Sequence, residues 1–256
     1  MIVASPDPTH PALAIACIEA GKSVLMEKPL APDPAGAWSV VEAERAAGGN
    51  LVSVGFMRRF DPPHTAIKAA SGPEGLGRPV LFRGIHRNPE RSPYADLRST
   101  VCSSGIHDID SARWLMGEFI SVSAAGRSVL GDGLNDLVHI QGEHVGGGLS
   151  TIEVYVSCVY GYEVSAELVC ERGVATTLDP DRATFRSFNR RGANVPGDWL
   201  GRFDEAYRLE LIAWVRSCVQ GSPFPGATAF DGYRDQVVAE AVLQAIATGD
   251  TVGVEP

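Results

Sequence analysis

A chain of 256 residues, 45% of them hydrophobic, can bury a substantial core and has the length for one large domain or two moderate ones. Its net charge of -9 excludes a sequence-independent nucleic-acid binder, which needs clustered Lys and Arg; the only adjacent basic pairs, Arg58-Arg59 and Arg190-Arg191, stand far apart. No run reaches the length of about 18 apolar residues that a membrane span needs, and Met1 is not followed by a charged region and signal core. The five cysteines are odd in number and include no CxxC, so neither a disulfide framework nor a zinc site is expected, and the cytoplasm is the expected compartment.

Ile2 to Ser5 reads as a short strand, followed by the turn Pro6-Asp7-Pro8. Ala12 to Ala20 is a helical run with Gly21 as its C-cap, and Ser23 to Glu27 is the next strand. Pro32-Asp33-Pro34 opens a second helix that runs to about Ala47, Gly48-Gly49 ends it, and Leu51 to Val54 is a third strand. Strands and helices alternating at this spacing predict a parallel sheet.

After Gly55 the pattern changes. A helix is expected around Pro63 to Ala70, a strand from Pro79 to Ile85, a long loop from Asn88 to Ser104 and a helix from Ile106 to Met116. From Phe119 to about Phe185 the chain holds strand-like segments broken by glycines, among them Gly146-Gly147-Gly148. Ile152, Val154, Val156 and Cys158 alternate with polar residues, and Val164, Ala166, Leu168 and Cys170 resume the pattern, as in an antiparallel sheet covered on one face. Helices at about Arg202 to Val219 and Asp231 to Ala247 close the chain.

Glu27-Lys28-Pro29 puts an acid, an amine and a rigid turn at the carboxyl end of a parallel strand, where such sheets bind their ligands. A lysine there is either a surface charge paired with Glu27 or a partly buried amine able to share a proton with a hydroxyl. In Gly105-Ile106-His107-Asp108-Ile109-Asp110, helical spacing puts His107 and Asp110 on one face, so the carboxylate could orient the imidazole; Asp108 lies on another. The competing reading is a helix start decorated with acids that complement its dipole. Metal binding is disfavoured, because no second His or Cys sits three or four residues from His107. Met57-Arg58-Arg59-Phe60, His86-Arg87-Asn88-Pro89 and Tyr160-Gly161-Tyr162 read equally well as ligand contacts and as ordinary loops, while Trp199 reads as a packing residue.

Thr9-His10, Glu27-Lys28-Pro29, Gly55 to Phe60, His86 to Pro89 and Ile106 to Asp110 occur in the order and spacing of the Gfo/Idh/MocA oxidoreductases. Tyr160-Gly161-Tyr162, Asp198-Trp199 with Arg202-Phe203 and Ala206-Tyr207, and Ala229 to Tyr233 extend the resemblance almost to the C-terminus. The resemblance implies an α/β plus α+β protein: an incomplete Rossmann-type parallel sheet over residues 1–55, then a larger substrate-binding and oligomerisation domain with an open, mainly antiparallel sheet over 56–256. It further implies a nicotinamide-dependent enzyme that oxidises a secondary alcohol of a cyclic polyol or sugar to a ketone. NAD is the cofactor expected, with NADP left open, and a homodimer or homotetramer is the expected assembly. The alternative is a non-catalytic sugar-binding or subunit-interaction module.

Carried over residue by residue, the resemblance makes Lys28 the holder of the reacting hydroxyl and His107 the acceptor of its proton, with Ser103 as third member. Met57, Arg58, Asn88, Ser104, His107 and Tyr162 would line the polyol site. Ser5, Pro6, Asp7, His10, Glu27 and Lys28 would face the cofactor, and the Lys28-Pro29 bond would be cis. Two departures stand out. Ser103 occupies the position of the family's usual Asp, so the expected Asp-Lys-His set lacks a carboxylate; Asp108 or Asp110 would have to substitute, and Ser103→Asp is expected to raise turnover. The glycine-rich phosphate loop of the family does not precede the strand at Ile2, so this chain is expected to carry only the C-terminal part of the dinucleotide-binding domain.

Overall fold

The computed structural model describes residues 1–91, 96–177, 184–187, 190–193 and 195–255. Residues 92–95 of the expected long loop and 178–183 of the strand-rich run lie outside the described residues.

The first sheet is parallel. Strands β1 (Ile2–Val3), β2 (Val24–Glu27) and β3 (Val52–Gly55) lie side by side in that order, joined by helices α1 (His10–Glu19) and α2 (Pro34–Ala46). Their side chains are nearly all buried, as expected of strands covered on both faces. Gly21 follows α1 with φ +62°, the left-handed conformation that favours glycine at a helix end. Asp33 caps α2 by accepting from the Gly36 amide at 2.8 Å, with Pro34 in the first turn. At the other end of α2, Glu44 accepts from the amides of Leu51 (2.8 Å) and Val52 (2.6 Å) and so ties the helix to the start of β3.

Beyond β3 come a one-turn helix at Met57–Phe60, then α3 (Pro62–Ala70) and the long strand β4 (Pro79–Arg87). The segment expected as a loop from Asn88 to Ser104 holds more structure than that. A short helix α4 (Leu97–Ser99), capped by Asp96, runs into a π-helical turn at Thr100–Gly105 and on into α5 (Ile106–Met116). The small and β-branched residues of Thr100 to Gly105 carry no clear helical period, which is why the sequence reads as irregular.

Strands β5 (Phe119–Arg127), β6 (Leu137–His144), β7 (Leu149–Tyr155), β8 (Glu163–Cys170) and β9 (Gly173–Thr176) follow, with a separate hairpin of β10 (Thr184–Ser187) and β11 (Arg190–Ala193). Helix α6 (Leu200–Gln220), strand β12 (Ala227–Thr228), helix α7 (Ala229–Thr248) and strand β13 (Val252–Gly253) complete the chain. The second sheet runs β13-β5-β6-β7-β4-β8-β9 and is mainly antiparallel. The exception is the parallel pair β4 and β7: β4 is inserted between two strands that follow it in sequence, which local patterning does not encode. The alternation read from the sequence holds, since Ile152, Val154, Ala166, Leu168 and Cys170 all face the core beneath α5 and α7, while Val164 is buried in a second cluster beside α6. Val156 and Cys158 are buried but lie past the end of β7.

The C-terminal part also reaches back. β12 adds to β3 as an antiparallel edge strand of the first sheet, and α7 packs on α2. Gly232 lets α7 lie close against β3 and the segment after β2: a Cβ there would stand 2.9 Å from the Leu30 Cβ and 3.2 Å from the Val54 Cγ2. An ion network ties α7 to α5 and to the one-turn helix after β3, with Arg59 paired to Asp110 and Asp231, and Arg113 to Asp235 (2.7 Å) and Glu118 (2.5 Å). Among the described residues no helix is long and apolar enough to cross a membrane.

Candidate active site

Lys28 leaves the carboxyl end of β2, and Met57 and Arg58 leave that of β3. Its backbone neighbour is fixed as the resemblance implies, because the Lys28–Pro29 bond is cis. The Lys28 Nζ donates to the backbone carbonyl of Ser103 at 2.8 Å, which leaves two of its three donors for another partner. Burial lowers the pKa of this amine; Glu27 and Asp7 oppose the shift, and Arg58 adds to it.

His107, in the first turn of α5, is 8% exposed and comes close enough to Lys28 for the amine's charge to act on it. The edge of its ring meets Phe56 at a centroid distance of 6.0 Å, and His86 lies at 6.4 Å. Burial first, then the positive Lys28 and Arg58 with His86 acting in the same direction, hold the imidazole pKa well below its ordinary value, so the ring is neutral at neutral pH. Its Nδ1 is enclosed and has no hydrogen-bond partner among the described residues. A neutral imidazole facing an amine is the arrangement a proton acceptor for an alcohol requires.

The carboxylates of α5 do not serve His107. Asp110, which helical spacing puts on the His107 face, pairs instead with Arg59 (2.6 Å), and Asp108 binds Arg58 (2.6 Å) and His86 (2.8 Å). From Ile106 to Arg113 every residue of α5 is buried, so each face meets a different element and the guanidinium groups take the acids. Neither acid substitutes for the missing carboxylate at Ser103.

Arg58, Asp108 and His86 form a buried triad under the site. Burial pushes the Asp108 carboxyl up, but Arg58 and His86 outweigh it and hold the pKa at about 2. Because a carboxylate only accepts, Nδ1 of His86 carries the hydrogen of their bond, and Nε2 lies on the opposite side of the ring. Gly84, on the same face of β4 as His86, makes room: a Cβ there would lie 3.3 Å from Asp108 Oδ1. Sequence reading named His86 only within a polar segment and Asp108 only as a substitute carboxylate, and did not pair them. The signal for His86 was the alternation Phe82, Gly84, His86 on the buried face of β4, since a buried imidazole needs a polar partner.

Met57 and Tyr162 pack together with Val164, Phe203 and Ala206, and Tyr207 of α6 borders the group. The Tyr162 ring stands edge-on to His86 at 6.4 Å, and burial pushes its phenol pKa up to about 12, so it keeps its proton. Ser104 and Asn88 are half-buried at the margin, the latter paired through its backbone with Tyr155 and Cys158. On the β1 side, Ser5, Pro6 and Asp7 form a turn held by Thr9, whose amide and hydroxyl both donate to the Pro6 carbonyl. Glu27 lies beside it, its pKa raised by burial against the lowering effect of Lys28.

His10 does not present itself to a cofactor, contrary to the expectation. It is fully buried, and its two nitrogens meet the backbone carbonyls of Pro29 (2.7 Å) and Ser5 (2.9 Å). It pins the turn at Ser5 to the segment after Lys28, because a ring between two chain segments bonds whatever carbonyls close around it.

Glu210 of α6 was also missed. It is 2% exposed, and burial, reinforced by Glu27 and Asp110, pushes its pKa up to about 8. This raised folded-state value means the unfolded chain ionises first, so Glu210 costs stability increasingly as pH rises from about 4.5 towards 8. Glu210→Gln should therefore gain on the wild type over that window. Urea midpoints at pH 5 and pH 8.5 test this; wild type and variant shifting in parallel would show that Glu210 is not held protonated.

The chain belongs to the Gfo/Idh/MocA oxidoreductase family: residues 1–56 match its NAD-binding Rossmann fold and residues 99–254 its C-terminal alpha/beta domain. It is 42% identical to an inositol 2-dehydrogenase of Rubrobacter xylanophilus, the match covering 100% of this chain and 75% of that protein. Inositol 2-dehydrogenase 2 of Saccharopolyspora erythraea is also 42% identical, over 100% of this chain and 76% of its own length. The crystal structure of myo-inositol dehydrogenase from Lactobacillus casei in complex with NAD(H) and myo-inositol superposes with a TM-score of 0.92 at 26% identity, covering 100% of this chain and 77% of the other.

Proposed function

We propose that this oxidoreductase is an inositol dehydrogenase, removing hydride from a ring carbinol of a cyclic polyol with NAD as acceptor. The observation that carries the proposal is the meeting of a buried amine, Lys28, with a neutral buried imidazole, His107, at the carboxyl ends of parallel strands. The relatives named inositol dehydrogenases support the substrate class. They lend nothing to the alternative of a non-catalytic module.

The residues present fit a nicotinamide cofactor on this side of the sheet, where the turn Ser5 to Asp7 and the backbone at Glu27 and Lys28 follow β1 and β2. When bound, the nicotinamide supplies the ring carbon that receives hydride from the carbinol carbon. In our reading Lys28 donates one of its remaining hydrogens to the reacting hydroxyl and holds it at His107. His107, neutral because it is buried among cations, takes the hydroxyl proton as the carbonyl forms. Arg58, His86, Asn88, Ser104 and Tyr162 would bind the other ring hydroxyls, with the Arg58, Asp108 and His86 triad keeping its donors in place. Met57 contributes an apolar wall.

The test is calorimetric titration with NAD followed by assay of NADH formation with myo-inositol, other inositol isomers and aldose sugars. The proposal expects NAD to bind and a cyclic polyol to be the best substrate. NAD binding with turnover confined to open-chain or non-polyol alcohols would overturn it.

A further inference from the structure

A lysine buried at the centre of a site needs a negative charge nearby to keep its proton, and Ser103, whose carbonyl receives its hydrogen bond, brings none. Asp108 and Asp110 are committed to Arg58 and Arg59. The hydroxyl of the same Ser103, however, donates to Asp7 Oδ2 at 3.3 Å. Ser103 thus links Lys28 on one side, through its carbonyl, with a carboxylate on the other, through its side chain.

A second connection holds the two in register. Asp7 sits in the turn between β1 and α1, and His10 bridges Ser5 in that turn to Pro29, the residue after Lys28. We propose that Asp7 is the positioning residue for Lys28: its carboxylate, delivered through Ser103 and braced by His10, keeps the ε-amine protonated and directed into the cleft. The separation exceeds the usual O–H···O range of about 2.5–3.0 Å, so Asp7 acts chiefly through its charge. The other groups facing Lys28 are Glu27, which favours the protonated amine more strongly than Asp7 does, Arg58, which opposes it, and the neutral His107 across the cleft. This inference rests on the dehydrogenase reading only for the role of Lys28 in catalysis, and its main readout does not require activity.

Lys22, Lys28 and Lys68 are the only lysines in the chain, so their side-chain carbons can be followed separately by NMR of protein labelled at lysine Cε, with Lys22 and Lys68 as internal controls. Asp7→Asn, isosteric and in a surface turn, should shift the Lys28 titration downward and leave that of Lys22 in place, and Ser103→Ala should shift Lys28 in the same direction by less. Relocating the charge provides the rescue: Asp7→Asn combined with Ser103→Asp should restore the Lys28 titration, whereas Ser103→Asp alone gains least, since a carboxylate already there repels a second. With NAD and myo-inositol, Asp7→Asn should lose about tenfold in kcat and the double variant should recover it. A Lys28 titration unmoved by Asp7→Asn, or not restored by the relocated acid, would overturn the proposal. Titrations that move as expected in a protein without turnover on any polyol would uphold the role of Asp7 and count against the dehydrogenase reading instead.

Discussion

Replacing His107 with alanine should, on the proposed mechanism, lower kcat for polyol oxidation by about 100- to 10,000-fold, the range expected when a positioned general base is removed. The loss should fall on kcat more than on NAD affinity, because the imidazole stands with Arg58 and His86, which we propose face the substrate, rather than with the Ser5 to Asp7 turn. Steady-state kinetics beside calorimetric NAD binding checks both parts. The fold should tolerate the change, since among the described residues Nδ1 has no hydrogen-bond partner for its removal to leave unpaired. The wild-type pH profile carries the same signature. The base is active when unprotonated and its pKa is depressed, so the acid limb of kcat/KM in the free enzyme lies below pH 6.5. A profile still rising above pH 7, or a His107→Ala variant within threefold of wild type, contradicts the assignment.

Arg58→Met should cause a large loss of stability. It leaves Asp108, 1% exposed, with only His86 against the cost of a buried charge, and breaking such a pair from one side costs about 3–5 kcal/mol. In a chain of this size that lowers Tm by roughly 10 °C. Adding Asp108→Asn to Arg58→Met should recover part of the loss, since it removes the orphaned charge, and a double-mutant cycle by urea unfolding measures the coupling. The pair also has a pH dependence. Asp108 is held at about 2 in the folded state, below the unfolded value, so its contribution is complete above about pH 4 and is lost as pH falls towards 2. Wild type should lose stability over that range more steeply than the double variant. Because Arg58 also depresses the His107 pKa, whatever activity Arg58→Met retains should show its acid limb at higher pH. Equal midpoints for wild type and Arg58→Met would refute the role assigned to the triad.

How far the sequence alone could be read depends on the range of the interaction concerned. The strands and helices of the first sheet, the alternation along β7 and β8, and α5 itself were visible because period and end signals are local. The insertion of β4 between β7 and β8 was not, nor was the return of β12 to the edge of β3, because strand order depends on contacts distant in sequence. The π-helical turn before α5 lacked a period to detect.

The candidate site divides in the same way. Lys28 and His107 were nameable from the segments around them, because residue type and position at a strand end or helix start restrict what a side chain can reach. Their partners were not. Spacing assigned Asp110 to His107, while in the folded chain Arg59 holds Asp110, Arg58 and His86 hold Asp108, and Asp7 reaches Ser103 across 96 positions of chain. The sequence by itself determined which elements form and which chemical groups they carry. Only the tertiary structure decided which acid meets which base, since a buried charge takes the partner that packing brings within a few ångströms, and that choice is made between elements rather than along them.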